Sequence, residues 1–544
     1  MNIVCLVFIF FVFLPIQCYS LTVSSRGEVW PLPQQVTWFN ASRGLRGKDG
    51  IVFNPVEPTT WENCQILQDV YKHYISKKYI YSYGIGKEFV AQPEILKVNI
   101  KINKPCPGDD VYPQQGMNEQ YFLTVRNDED ARIEADEIWG VIRGIETLSQ
   151  LIYVEDGYYY IKAVTIYDYP RFPVRGFLLD TGRHFLAPSV IMRQIDLAAQ
   201  NKLNLFHWHI VDNEAFPYTS DVFPNLSIGA FSPRHRYSKS NIQEILKFAR
   251  MLGIRVMIEF DTPGHVASWK GQPGFLAKCK PGAIPSIMNP TIDDNYKFLT
   301  ELLKEVVSLF PEKYLFLGGD ESVFWYNDCW KFDPEIVAYM KKYNFNVTAL
   351  EALHVSKVSH IVDEISKEHT RLYWQDSFIK YNPDDKAVIG VWTPHAGKKW
   401  QPVMKQIAQK GHKVVLYACW YLNYIAYRDD WIKPGKNGQG DFETPWYDCD
   451  PHEFGATEEE KTLVLGGVAS MWGELVDGAN VEDRLWPRAS AVAERLWSDK
   501  ASTSSSEAAR PRLLEHTCRM IGRGFRAQPA NGASFCPVDV GMAL

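Results

Sequence analysis

The sequence contains no long run of charges of one sign. Its 58 basic and 64 acidic residues are mixed along the chain and leave a formal net charge of −6. Such a distribution offers no extended basic surface to nucleic acid or to an anionic membrane. Neither is therefore expected as a partner.

Apolar runs long enough to cross a membrane are also absent after the beginning of the sequence. Residues 3–16 are apolar, but this stretch is too short to span a bilayer comfortably, and Ser20 provides a small residue at a plausible cleavage point. The pattern is typical of a secretory signal peptide over residues 1–20. We therefore expect no membrane insertion and a location in the secretory pathway, either lysosomal or extracellular.

The cysteines that follow the signal show no C-x-x-C spacing of the kind that binds metals. Their even number in an oxidising compartment predicts four disulfides. Sequence alone allows 105 pairings, of which pairing between neighbours is the simplest. The eight residues are Cys64, Cys106, Cys279, Cys329, Cys419, Cys449, Cys518 and Cys536. Sequons at Asn40, Asn225 and Asn346 predict glycosylation in the same compartment.

Aromatic side chains, in contrast, are abundant. The chain has 17 Trp and 28 Tyr, more than cores alone tend to need. A flat apolar face with one polar tip is the kind of surface on which a sugar ring packs. The composition therefore favours a protein that handles carbohydrate.

The length of 544 residues predicts more than one domain. Residues 21–169 alternate short β-rich runs, at 95–102 and 121–125, with a helical pattern at 136–152, which indicates a small α/β domain. A proline-rich boundary follows at 169–173. The second domain is expected over 170–544, including a C-terminal extension.

Eight short apolar runs alternate with helical segments after this boundary. The helical patterns include 189–201, 241–252 and 293–310. Eight such units predict a (β/α)₈ barrel. The predicted strands are 175–179, 203–210, 255–259, 314–317, 371–374, 387–392, 413–418 and 463–469.

The run at 314–317 leads through two glycines to two adjacent carboxylates, Asp320 and Glu321. Catalytic groups of such barrels lie at the carboxyl ends of the strands. An ionised carboxylate beside a proton donor suggests hydrolysis. Other chemically suitable residues at or after predicted strand ends are Asp180, Asp212, Asp261, His265, Trp374, Asp376, Trp392, Tyr421, Trp472 and Glu474.

Five segments of the predicted barrel read VRGFLLDTGRHF, FHWHIVDNEAFP, EFDTPGHVASW, LGGDES and MWGELVDGANVEDRLWPRASAVAERLW. They resemble segments of the family 20 glycoside hydrolases, the β-N-acetylhexosaminidases, and in particular the lysosomal and secreted animal enzymes. A small α/β domain ahead of the barrel extends the resemblance to nearly the whole mature chain. It implies an exo-acting enzyme that removes terminal β-linked GlcNAc or GalNAc from glycans.

The resemblance also implies roles for individual residues. Glu321 would act first as the general acid and then as the base, while Asp320 would orient the acetamido group of the substrate. Asp212 and His265 would lie near the acid and tune its proton. The remaining implied substrate-binding residues are Arg175, Trp374, Trp392, Tyr421, Asn423, Trp472 and Glu474. No cofactor or metal is implied, and a homodimer is expected.

The adjacency of Asp320 and Glu321 leads to a mechanism on physical grounds as well. Ordinary glycosidases place two carboxyl groups on opposite sides of the scissile bond, which neighbouring residues cannot easily do. If Glu321 protonates the leaving oxygen, the nucleophile has to come from elsewhere. The 2-acetamido oxygen of the substrate can serve, with Asp320 stabilising the positive charge that develops.

Two stretches depart from the pattern expected of the animal enzymes. Tyr424 occupies the position at which chains that accept negatively charged substrates carry an arginine, and Asn423 replaces an aspartate, so neutral substrates are expected to be favoured. The loop 430–452 is longer, and a Cys419–Cys449 bond would pin it beside Tyr421. Its aromatics, Trp446 and Tyr447, would then either shape the leaving-sugar site or belong to a solvated insertion.

Two other functions remain open at this level. His207 and His209, with His265 and Asp320, mimic the ligands of zinc-dependent barrel amidohydrolases. That alternative leaves Glu321 and the tryptophans without a role. A catalytically silent glycan-binding protein is the other alternative, although a binder has no use for a proton donor at the glycosidic oxygen.

Overall fold

Two sheets organise the chain in the computed structural model, an open one and a closed one. The first is a seven-stranded mixed sheet and the second is a barrel of eight parallel strands. The structure describes residues 25–46, 50–77, 79–81, 95–155, 158–381, 383, 386–392, 399–424, 430–431, 436–437, 440–441, 446–532 and 534–536. The predicted signal peptide lies outside these residues.

The open sheet belongs to the N-terminal part of the chain. Its strands run in the order β1-β7-β4-β5-β3-β2, with β6 paired to β7. Every second side chain of β3 and β5 is buried, as expected for a sheet with one covered face. The strands are β1 Gln35–Leu45, β2 Ile51–Pro55, β3 Leu96–Ile102, β4 Tyr121–Val125, β5 Ala131–Ala135, β6 Ile152–Glu155 and β7 Tyr158–Asp168.

The barrel closes in the order β10-β11-β12-β13-β14-β17-β8-β9. Its strands are buried on both faces, which is why they appear in the sequence as short continuous apolar runs. All eight predicted strands occur, and the predicted fold class is confirmed. The strands are β8 Val174–Asp180, β9 Leu205–His209, β10 Arg255–Glu259, β11 Tyr314–Phe316, β12 Thr370–Trp374, β13 Val388–Val391, β14 Val414–Leu416 and β17 Val464–Met471. A small hairpin, β15 Lys436–Asn437 and β16 Gly440–Asp441, precedes β17.

Helices cover the outside of the barrel and join the sheets. Helix α2 is buried along its whole length, since it packs against the open sheet on one side and the barrel on the other. The helices are α1 Gln65–Ser76, α2 Ile138–Gln150, α3 Pro188–Gln200, α4 Lys239–Met251, α5 Asp293–Leu309, α6 Val323–Trp325, α7 Pro334–Tyr343, α8 Val347–Ile365, α9 Gln375–Tyr381, α10 Trp400–Gln409, α11 Glu458–Lys461, α12 Val481–Leu485, α13 Arg488–Trp497 and α14 Ser506–Gly522.

The cysteines pair in the order in which they occur along the chain. The bonds are Cys64–Cys106, Cys279–Cys329, Cys419–Cys449 and Cys518–Cys536. The sequon residues Asn40, Asn225 and Asn346 are exposed. Among the described residues, no helix has the length and apolarity that a membrane crossing requires.

Candidate active site

The acidic pair Asp320 and Glu321 lies in the loop that follows β11. Gly318 and Gly319 precede it with φ angles of +70° and +88°. A Cβ atom on Gly318 would lie 1.6 Å from the Asp261 carboxylate, and one on Gly319 would lie 2.3 Å from the Ser377 hydroxyl. The two glycines are therefore required by close approach as well as by backbone conformation. Glu321 itself has a φ of +51°, a strained value of the kind found at functional sites.

Both carboxylates face one imidazole. His265 Nε2 lies 3.5 Å from Asp320 Oδ2 and 3.5 Å from Glu321 Oε2. One oxygen of each carboxylate and one nitrogen of His265 lie within 4.8 Å of one another. The two carboxylates therefore meet on one side of the cleft. This spacing is too short for an inverting pair, which needs about 6.5–9.5 Å to admit a water molecule.

Asp212 contacts His265 at the ring nitrogen that does not face Asp320 and Glu321. Asp212 Oδ1 lies 3.1 Å from His265 Nδ1, and Oδ2 lies 2.8 Å from His209 Nε2. Burial alone would raise the pKa of Asp212, but the positive charges of Arg183 and His265 outweigh burial and hold that pKa well below its usual value. Burial disfavours a charged His265, yet Asp212 and Asp320 raise the pKa of its imidazole well above normal. The arrangement stabilises an imidazolium between carboxylates.

Asp320 responds in the opposite sense to Asp212. Burial raises the pKa of Asp320 to about 7, with His265 acting against the shift and Glu321 adding to it. Burial, together with the charges of Glu259 and Asp320, also raises the pKa of Asp261 well above normal. The site thus contains carboxyl groups whose pKa values are pushed apart, which is a recurring property of acid/base machinery.

The predicted pocket side chains converge on the same cleft. Asp212, His265, Asp320, Glu321, Trp374, Trp392, Tyr421, Asn423, Trp472 and Glu474 all line it. Trp374 donates from Nε1 to Glu259 at 2.7 Å, and Trp392 donates from Nε1 to Asp376 at 2.7 Å. These bonds fix the orientation of two indole walls. The cleft therefore combines apolar aromatic faces with a cluster of charged groups.

Arg175 is an exception, and the prediction that it binds substrate is wrong. It lies at the start of β8, the end of the barrel opposite to the cleft, and its side chain is fully buried. Its guanidinium donates to Glu119 at 2.6 Å and to the Lys202 carbonyl at 3.0 Å. Because Glu119 also pairs with Arg143 of α2, Arg175 joins the two domains rather than contacting a ligand.

Arg183 occupies the cleft instead. It follows the carboxyl end of β8 within the segment DTGR, and its guanidinium lies 3.0 Å from both Asp180 Oδ2 and Asp212 Oδ2. Glu474 Oε1 lies 3.8 Å away, and the ring of Trp472 lies 5.3 Å beneath the guanidinium. The rule that functional residues follow strand ends would have favoured Arg183 over Arg175.

The local sequence does not single out Glu259 either. It ends β10 inside the barrel and lies 2.7 Å from His209 Nδ1 and 3.0 Å from His207 Nε2. His209 uses its other nitrogen for Asp212. Both nitrogens of His209, one member of the set that the zinc alternative requires, contact carboxylates, and that alternative is not favoured.

Trp446 and Tyr447 do not shape the leaving-sugar site, and that hypothesis is wrong. Both rings are buried in the main core. Tyr447 donates its hydroxyl to Glu494 at 2.6 Å, and its ring packs edge-on against Trp431. The Cys419–Cys449 bond therefore ties this stretch to the interior. The alternative of a solvated insertion fails for these two residues for the same reason.

Comparisons with known proteins agree with this geometry. The family description "Glycosyl hydrolase family 20, catalytic domain" matches residues 172–500, and "beta-acetyl hexosaminidase like" matches residues 29–151. The chain is 40% identical to beta-hexosaminidase A of Caenorhabditis briggsae, over 95% of this chain and 93% of the relative. It is 37% identical to the human beta-hexosaminidase subunit beta, over 95% and 91%.

A solved structure supports the same assignment. The Flavobacterium johnsoniae chitobiase superposes with a TM-score of 0.75 at 27% identity, covering 91% of this chain and 73% of the bacterial one. The match extends through both the open sheet and the barrel. By sequence and by fold, this chain belongs to glycosyl hydrolase family 20.

Proposed function

We propose that this chain is an exo-acting β-N-acetylhexosaminidase that hydrolyses terminal, non-reducing β-linked GlcNAc or GalNAc with retention. The observation that carries the proposal is the shared position of Asp320 and Glu321 about His265 Nε2, each 3.5 Å away. Two carboxylates on one side of the scissile bond supply an acid and a stabiliser but no nucleophile behind C1. Family 20 enzymes are among the recognised substrate-assisted exceptions to the two-carboxylate rule.

In the first step, the acetamido oxygen attacks C1 while the bond to the leaving oxygen breaks. Glu321 transfers its proton to that oxygen, and a cyclic oxazolinium forms. Asp320 accepts a hydrogen bond from the acetamido N–H, which favours its ionised form, and the carboxylate stabilises the positive charge on the ring. In the second step, Glu321 takes a proton from water, which attacks C1, reopens the ring and restores the acetamido group.

The cleft can hold the acetamido group in the reactive position. Trp374, Trp392 and Trp472 surround the space beside Asp320, and Tyr421 is able to donate its hydroxyl to the acetamido carbonyl. Burial raises the pKa of Tyr421 well above normal, so the hydroxyl keeps its proton. Arg183 and Glu474, at the rim, are suited to the outer hydroxyls of the sugar.

Neutral substrates suit this cleft best. Among its described lining residues, Arg183 is the one permanent cation, and it is paired with Asp180 and Asp212. Tyr424 stacks on Tyr421 at 5.9 Å between ring centroids and offers no charge to a sulfate or sialic acid. Comparable turnover of neutral and 6-sulfated aryl glycosides would contradict this preference.

The proposed setting is the secretory pathway, with the mature enzyme in the lysosome or outside the cell. Four disulfides and three exposed sequons support this setting, together with the signal expected over residues 1–20. A homodimer stays a prediction from the family resemblance.

Release of 4-nitrophenol from its N-acetyl-β-glucosaminide tests the activity, and the Glu321→Gln variant tests the acid. A nitrophenolate leaves without full protonation, whereas a sugar alkoxide does not. Glu321→Gln should therefore lose turnover of chitobiose by at least about a hundredfold while retaining a larger share of nitrophenyl turnover. Equal losses on the two substrates would contradict the role of Glu321 as acid, and an inactive wild type would contradict the function.

A further inference from the structure

Trp325 lies beside the acid side of the cleft but outside the pocket for the terminal sugar. It ends α6, the single turn that begins two residues after Glu321. Its ring meets the ring of His265 edge-on, with centroids 5.1 Å apart. It is not among the side chains that line the described pocket. Trp325 therefore lies next to His265 and outside the described lining of the pocket.

Two aromatic side chains are open to solvent at this position. Trp325 is partly exposed, and Phe324 is 65% exposed and lies edge-on to Trp325 at 6.3 Å. Adjacent exposed apolar side chains are a stronger sign of a binding surface than the same side chains scattered singly. Trp446 and Tyr447, the aromatics that the sequence suggests for such a surface, are buried elsewhere.

The segment that carries Trp325 is held firmly. The indole packs on an apolar cluster that includes Ile287 and Trp330. The Cys279–Cys329 bond ties the following turn to the neighbouring loop. A Cβ on Gly264 would come within 2.8 Å of the Trp325 ring, so the indole also lies tightly against the turn that presents His265. A platform of this kind loses little entropy when a ligand binds.

The location decides which part of the substrate such a platform can meet. The glycosidic oxygen has to approach Glu321 to within about 3 Å for proton transfer. The sugar attached through that oxygen extends away from the terminal residue on the side of Glu321 and His265. A pyranose ring presents an apolar face of C–H groups, and a tryptophan presents a matching flat surface.

We propose that Trp325, flanked by Phe324, forms the subsite for the first sugar of the leaving group, and that it selects oligosaccharides over substrates with small aglycones. The ligand class is a pyranose that is linked through its hydroxyl to the terminal N-acetylhexosamine. This inference rests on the proposed hydrolysis, because the subsite is defined by the bond that Glu321 cleaves.

The Trp325→Ala variant tests the subsite with two substrates of the same terminal sugar. N,N′-diacetylchitobiose has a leaving sugar, whereas N-acetyl-β-glucosaminyl fluoride has a leaving group too small to reach the indole. We expect kcat/KM for chitobiose to fall about tenfold, the equivalent of one stacking contact, and kcat/KM for the fluoride to stay within about twofold. Phe332→Ala is the matched control, because it removes another exposed ring of the same segment; it should alter neither value.

Equal losses on both substrates would overturn the proposal, since they would show that Trp325 acts only by supporting His265. No loss on either would overturn it as well. If Trp325→Ala fails to fold, Trp325→Leu replaces it, because leucine keeps the apolar packing but removes the flat face. The same two substrates then test the subsite, with the same expected difference in kcat/KM. A wild type that cleaves neither substrate would instead refute the proposed function.

Discussion

Asp212 Oδ1 lies 3.1 Å from His265 Nδ1, and this contact links a carboxylate whose pKa is held well below its usual value to the imidazole that faces Asp320 and Glu321. The imidazole would otherwise be neutral at its buried position. Despite burial, Asp212 and Asp320 raise the pKa of the His265 imidazole. Below that raised pKa the ring is charged and stabilises the folded protein, and this stabilisation is lost as the pH rises through it. The charge next to Asp320 and Glu321 therefore depends on Asp212.

The Asp212→Asn variant should move the alkaline limb of the kcat profile to lower pH, because His265 loses the charge that raises its pKa. We also expect kcat at the optimum to fall by about a hundredfold. Glu214→Gln serves as the control, since it removes a negative charge near Arg183 without touching His265. An unshifted profile in Asp212→Asn, or the same shift in both variants, would contradict the assignment.

Asp320 should reduce stability at neutral pH, because its raised pKa means that the folded protein binds this proton more tightly than the unfolded chain. The stabilising contribution is complete below about pH 4 and is lost as the pH rises through about 7. Asp320→Asn should therefore raise Tm at pH 7.5, by the equivalent of at most about 4 kcal/mol, and change it little at pH 4.5.

Thermal unfolding at the two pH values measures this difference. Asp109→Asn is the control, because the Asp109 side chain is 83% exposed and its neutralisation should leave Tm unchanged at both. A loss of stability in Asp320→Asn of similar size at pH 4.5 and 7.5 would show that Asp320 is held mainly by favourable contacts. Activity should be lost regardless, by at least about a hundredfold.

Glu351 is expected to position the loop that carries Glu321. It is buried on α8, accepts a hydrogen bond from Tyr326 and lies 3.1 Å from Lys380 Nζ, which places it between the segments after β11 and β12. Glu351→Gln should lower kcat about tenfold with KM within about twofold, because misplacement affects the transition state more than binding. Glu364→Gln, on the exposed side of the same helix, should change neither. A rise in KM at constant kcat would contradict a positioning role.

Arg183 and Arg175 provide a matched pair. Arg183→Lys should lower kcat/KM about a hundredfold, because a single ammonium cannot reproduce its contacts with Asp180 and Asp212 while also facing the sugar. Arg175→Lys should lower Tm by several degrees through its buried pair with Glu119, with kcat/KM per folded molecule nearly unchanged. A large loss of kcat/KM in Arg175→Lys, with only a loss of Tm in Arg183→Lys, would restore Arg175 as the ligand-binding residue.

The barrel could be predicted because its strands are buried on both faces and appear as short apolar runs. The strand ends then indicated most of the cleft. The sequence does not delimit β1, since its exposed and half-buried residues give a weak apolar signal. Strand β7 is not among the predicted strands either, although its aromatic and β-branched residues alternate between buried and half-buried positions and do carry a strand signal. Position along a strand, rather than residue type, separates Arg183 from Arg175.

Other features depend on contacts between distant parts of the chain. Glu259 is recognisable only once Trp374, His207 and His209 are seen around it. Trp446 and Tyr447 have the composition of a binding loop, but a disulfide and packing on Trp431 place them in the core. Burial of an aromatic side chain in a long loop cannot be inferred from its local sequence.

The dependence of kcat/KM on the electron demand of the acyl group tests the role of the acetamido oxygen most directly. The comparison uses 4-nitrophenyl N-acetyl- and N-trifluoroacetyl-β-glucosaminides, which differ little in size but greatly in the nucleophilicity of the carbonyl oxygen. If that oxygen attacks C1, the trifluoroacetyl substrate should react slower by more than about a hundredfold. Equal rates for the two substrates would show that an enzyme side chain or water attacks instead and would contradict the account.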